Sequence, residues 1–135
     1  MLTGRCIHPE LLAHLARCGH GSRILIADGN YPLAEKCGGA AKVYLGLTAG
    51  TPTVTEVLSV LHGEIEIEKA EVMLPDDGRE PEIYSEFRRE LNGLALNTLG
   101  RFEFYDSCTK QPLALAISTG EQRTYACIIL TVGCA

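Results

Sequence analysis

Apolar and polar positions alternate along this chain in two rhythms, and the rhythm changes several times. From His8 to Arg17 the apolar residues Leu11, Leu12, Leu15 and Ala16 fall at helical spacing. Pro9 suits the first helical turn, where a missing N–H costs nothing, and Gly19 punctuates the end. Arg23–Ile24–Leu25–Ile26–Ala27 is a short apolar run between Gly21–Ser22 and Asp28–Gly29–Asn30, the signature of a buried, parallel-type strand. Residues 30–39 read as loop and Ala41 to Leu47 as a second strand. A second helix runs from Thr51–Pro52–Thr53 to about Leu61, with Glu56 at capping-box spacing from Thr53. Ile65 to Leu74 is a strand, either whole, with Glu64, Glu66 and Glu68 on a solvated face, or only from Glu68 onward.

Pro75–Asp76–Asp77–Gly78 is a turn. Pro81 to Leu91 makes a third helix, with Ile83, Phe87 and Leu91 in one row. Arg101 to Tyr105 reads as a strand with Phe102 and Phe104 on one face. Leu113 to Ser118 and Thr124 to Val132 are the last strands, joined through a tight turn at Thr119–Gly120–Glu121. Helices and strands interleave early and strands dominate late. The expected fold is therefore α/β: a single three-layer α/β/α domain over residues 1–135 with a mixed, mostly parallel sheet.

Composition narrows the function classes. The chain has 135 residues, 46% hydrophobic and 21% charged, as an ordinary globular domain does. No apolar run reaches the ~18 residues of a membrane helix. The first residues lead into a helical pattern without a long apolar stretch, so a cytoplasmic location is expected. Net charge is -5, and no basic cluster exceeds Arg88–Arg89, which argues against nucleic acid as a partner. The six cysteines include no Cys-x-x-Cys pair and read as free thiols. The four histidines are scattered without acidic residues at ligand spacing, so no metal and no cofactor are expected. Neither a phosphate-binding loop nor a Gly-x-Ser-x-Gly elbow is present.

A few positions could carry chemistry. His20 sits between Gly19 and Gly21, in a loop that leads into a strand. It either bonds the last carbonyls of the helix or transfers protons, the task imidazole performs near neutral pH. Asp28 falls at the carboxyl end of the first strand, where open α/β sheets bind ligands; Asp-Gly-Asn is also common in plain turns. The strand between them spans ~16 Å, so the two meet only if the His20 loop folds over the sheet edge or if they belong to different subunits. Tyr125 is either a strand aromatic or a ring that stacks on a sugar. Arg101 is either a ligand clamp or a solvated residue.

Several of these segments, in order, resemble the D-ribose pyranase and L-fucose mutarotase family (RbsD/FucU). They are Pro9–Glu10–Leu11–Leu12, Gly19–His20–Gly21, Ile24 to Asp28, Asn30–Tyr31–Pro32 and Leu47 to Pro52. Arg101 to Tyr105, Thr119–Gly120–Glu121 and Tyr125 to Leu130 continue the series. The middle looks like the pyranase branch and the end like the fucose branch. The resemblance implies a cofactor-independent isomerase that interconverts ring or anomeric forms of a free monosaccharide, with His20 as the catalytic residue. Asp28 and Tyr125 match sugar-binding positions, and Arg101 matches a substrate-contacting position of the fucose branch. Cys127 stands where the family's Tyr-x-Asn has asparagine, exchanging a two-way hydrogen-bonding amide for a weak thiol. The resemblance also implies homo-oligomeric rings, often decamers, with sites at subunit boundaries. The alternative function is a non-catalytic sugar-binding or transport-associated protein of the same fold.

Overall fold

The computed structural model describes all residues, 1–135. Six strands form one sheet in the order β2-β5-β1-β6-β3-β4. They are β1 (Arg23–Ala27), β2 (Ala41–Tyr44), β3 (Ile67–Met73), β4 (Leu96–Leu99), β5 (Leu115–Ser118) and β6 (Ile128–Val132). The helices are α1 (Pro9–Leu15), α2 (Val54–His62), α3 (Ile83–Glu90) and α4 (Arg101–Thr109). Pairs β1–β5, β2–β5 and β3–β4 are parallel, while β6 runs antiparallel to both β1 and β3. The sheet is thus mixed and mostly parallel, as the pattern predicts.

Alternation along the strands sorts side chains to two faces. Ile24 and Ile26 of β1 point to one core with Ile128 and Leu130 of β6; Val57, Leu58 and Leu61 of α2 and Tyr84 and Phe87 of α3 cover it, with α1 at its edge. Leu25, Ala27 and Ile129 point to the other, which Phe104 and Cys108 of α4 share with Tyr31, Leu33 and Cys37 of the loop after β1. Three layers result. No helix is long and apolar enough to cross a membrane.

Local signals explain the helix starts. Pro9 occupies the first turn of α1, and His8 Nδ1 accepts the Leu11 N–H at 3.3 Å. Thr53 and Glu56 close a reciprocal capping box on α2, at 3.1 and 2.7 Å.

Two expectations fail. Arg101–Tyr105 is not a strand but the start of α4. Gly100 precedes it with extended dihedrals, and Glu103 accepts the Gly100 N–H at 3.3 Å. Phe102 is exposed while Phe104, Ser107 and Cys108 are buried, a helical row that a Phe-x-Phe alternation conceals. The strand that precedes it, β4, was not expected at all. The last strand is also shorter than expected: it starts at Ile128, and residues 124–127 lie outside the sheet, with a turn at Thr124 and Tyr125 in which Tyr125 has φ 55.

Candidate sugar site at the carboxyl end of the sheet

Four chain segments converge at one end of the sheet. Parallel β1 and the β3–β4 pair end there, and antiparallel β6 begins there, with Ile26 and Val72 both opposite Ile128. Asp28 therefore follows β1 into the same space that Tyr125 and Cys127 enter from the other side. The helix α4 springs from just beyond β4 and brings Arg101 and Tyr105. Together with Tyr31 and Met73 they line a cavity of about 230 Å³. That is smaller than the roughly 300 Å³ at which drug-sized pockets begin.

Asp28 is buried, at 4% exposure, and fully engaged. Its Oδ1 accepts the Asn30 N–H at 2.9 Å. Its Oδ2 accepts the Ala126 N–H at 3.1 Å and the Cys127 thiol at 3.3 Å. The Asp28 N–H in turn donates to Cys127 Sγ at 3.4 Å. The thiol is thus folded onto Asp28. Burial, reinforced by the neighbouring carboxylate, pushes its pKa well above the usual value, so it stays protonated.

The turn that carries Tyr125 is anchored on both sides. A Cβ on Gly120 would stand 2.5 Å from Thr51 O and 2.7 Å from Thr51 N, so only glycine passes there. Glu121, 3% exposed, accepts the Val54 N–H at the start of α2 at 3.4 Å. It also accepts Nε and Nη2 of Arg123, each at 2.9 Å. Arg123 reaches on to Glu86 of α3, which holds the Thr55 hydroxyl at 2.8 Å. These hydrogen bonds from Arg123 hold both carboxyls below the usual carboxylate range. Two residues beyond this knot, Tyr125 is held in the left-handed region, a costly conformation for a bulky residue that clusters at functional sites.

Arg101 faces Tyr125 across the mouth. Its guanidinium lies 5.7 Å from the ring centres of both Phe102 and Tyr105, and Nε donates to the Tyr105 hydroxyl at 3.4 Å. Tyr105 in turn packs 5.6 Å from Tyr31.

Of the expected site residues, the fold brings Asp28, Arg101, Tyr125 and Cys127 together. His20 is not among them. It precedes β1, at the far end of the sheet, with 59% of its side chain exposed and Nε2 at 2.9 Å from Glu68 Oε2. Sequence reasoning missed Tyr31, Met73 and Tyr105 as lining residues. Tyr105 had a signal: it lies at i+4 from Arg101, neighbours on a helix, once residues 101–109 are read as helical.

A mixed α/β sheet with a small cavity at its carboxyl end, lined by aromatic and polar side chains together, defines a small-ligand domain of the open-sheet kind. The chain belongs to the RbsD / FucU transport protein family, whose model matches residues 1–135. It is 32% identical to D-ribose pyranase from Geobacillus kaustophilus over 94% of this chain and 90% of that protein. It is 33% identical to human fucose mutarotase over 94% of this chain and 88% of that one. Among solved structures, a fucose mutarotase from Streptococcus pneumoniae in complex with L-fucose matches with a TM-score of 0.82 at 27% identity, over 96% of this chain and 94% of that one.

Proposed function

We propose that this protein is a monosaccharide mutarotase that exchanges anomeric or pyranose and furanose forms of a free, fucose-like or ribose-like sugar. The observation that carries this reading is the grouping of Asp28, Tyr125 and Arg101 around a cavity of about 230 Å³, in a chain whose relatives are a D-ribose pyranase and a fucose mutarotase.

Ring opening needs no redox partner. A base removes the proton from the anomeric hydroxyl, and its electrons form the C1 carbonyl as the bond from C1 to the ring oxygen breaks. An acid then protonates that oxygen. Reclosure by the same or another hydroxyl reverses these steps. In this reading His20 is the catalytic residue that transfers the proton, Asp28 accepts a hydrogen bond from a sugar hydroxyl, Tyr125 positions the ring and Arg101 donates at the mouth. Asp28 already receives three hydrogen bonds, so it is preorganised before sugar arrives.

The far placement of His20 leads to a composite site. We place the His20 of one copy over the Asp28 cavity of another, in a homo-oligomeric ring such as a decamer, working in the cytoplasm. The exposed Phe102 beside Arg101, and Leu2, Ile7, Tyr44 and Leu47 elsewhere on the surface, supply apolar contacts for such an assembly.

Saturation-transfer NMR between sugar ring forms tests the reading across ribose, fucose and galactose. His20→Ala should slow exchange by roughly 10²-fold or more with its oligomer unchanged. Sugar binding without acceleration in the native protein would instead mark it as a non-catalytic binding protein.

A further inference from the structure

We propose that Glu68 is the positioning residue for His20, fixing which ring nitrogen is free to take a proton. This rests on the reading of His20 as the proton-transfer residue.

The placement of Glu68 is built into the sheet. On β3, Ile67 pairs with Val132 of β6, yet Lys69 pairs with the very next residue of β6, Thr131. Two steps along β3 oppose one step along β6, so Glu68 is the extra residue of a β-bulge. Bulges re-aim a side chain and recur beside functional sites. The facing chain makes room for it: a Cβ at Gly133 would press within 3.2 Å of Glu68 Cβ.

The His20 loop is tied to the same strand end. The Gly21 N–H donates to Val132 O at 2.8 Å, Ser22 N–H closes on Gly19 O at 2.9 Å, and Ser22 Oγ accepts Gly19 N–H at 3.0 Å. Gly21 has φ 84, which lets the chain turn at once after His20. Both partners are therefore rooted on the last residues of β6, and they meet at 2.9 Å between Nε2 and Glu68 Oε2.

A carboxylate only accepts hydrogen bonds, so a neutral His20 in this contact carries its proton on Nε2. That leaves the Nδ1 lone pair as the base. An orienting partner on one imidazole nitrogen sets the tautomer and aims the other. The pair is exposed, at 59% and 44% of the two side chains, and exposed pairs add little stability. Its value lies in selecting one tautomer and one ring orientation.

Two variants test this. Glu68→Gln keeps an accepting oxygen; Glu68→Lys keeps a long stem but can only donate. In protein labelled with ¹⁵N-histidine, in mildly alkaline buffer, couplings between ring nitrogens and ring protons report the His20 tautomer. The His20 signal is the one lost in His20→Asn. The native protein and E68Q should hold the Nε2–H form, while E68K should lose or reverse that preference. By saturation-transfer NMR of a sugar that the native protein exchanges, E68K should lower kcat about 10-fold, a fraction of what a general base supplies, with KM and melting temperature unchanged and E68Q near native.

An unaltered tautomer in E68K, or an altered one with full kcat, overturns the proposal. If the native protein exchanges no sugar, the mutarotase reading fails, and the tautomer measurement alone decides whether Glu68 orients His20.

Discussion

The two ends of β1 hold their polar side chains in opposite ways. At the carboxyl end Asp28 is buried, receives three hydrogen bonds and sits among residues from β3, α4 and the turn before β6. At the amino end His20 is mostly exposed and has one partner, Glu68. The first environment is complete within one chain, its carboxylate fixed by three donors. The second is open: the imidazole is mostly exposed and held by a single carboxylate, and under the proposed composite site it would act on the cavity of another copy. A buried group is legible from its own neighbours; an exposed one with a single partner is not.

Complementation between two inactive variants should give the largest effect. His20→Ala and Asp28→Ala proteins should each be nearly inactive. Refolded together at equal amounts, random pairing in a ring restores about a quarter of native exchange, since one site then takes its His20 and its Asp28 from different copies. No recovery on mixing would place both residues of a site in one chain.

Stability should separate the two ends next. Asp28→Ala strands the buried Ala126 N–H and should cost about 1–3 kcal/mol in urea unfolding. His20→Ala should stay within about 0.5 kcal/mol of native.

A smaller effect is expected from Cys127→Asn. It returns an amide to the cavity wall and should raise apparent sugar affinity about 5-fold, the worth of one added hydrogen bond of about 1 kcal/mol. The panel of sugars above reads this out, and a variant that loses affinity would assign Cys127 to packing on Asp28 alone.

The smallest effect concerns acid. Glu86 and Glu121 are held below the usual carboxylate range by Arg123. Their contribution to stability is therefore present above the unfolded carboxylate pKa of ~4.3 and is lost as pH falls through the lower folded values. Arg123→Met should flatten the drop in melting temperature across that acid range. An unchanged acid profile would mean that the Arg123 pairs add nothing to stability in acid.

Much of this was readable in the sequence, for physical reasons. The strand β1 announces itself by burying four residues in a row, and α2 by a capping box whose two halves are three residues apart. What failed depended on distant partners. Phe102 and Phe104 look like strand alternation until Phe104 and Cys108 are seen to share one core on the second face of the sheet. The edge strand β4, Leu-Asn-Thr-Leu, buries none of its residues fully and gives no periodic signal. Glu68 reads as one of three alternating glutamates, and only the register against β6 singles it out. The four residues at the Asp28 end were found because strand ends and a family resemblance pointed at them. The separation from His20 follows from the length of β1, and that length is in the sequence.

One strand touches both ends. The turn into β6 presents Tyr125 and Cys127 to the cavity, and its last residues hold the His20 loop and the Glu68 bulge. If sites form between copies, each β6 serves as a strut shared by two of them, bracing the wall of one and the proton carrier of the next. Sugars bound around such a ring would not be mechanically private: a slip of one strand by a fraction of its register would be felt at two active centres at once.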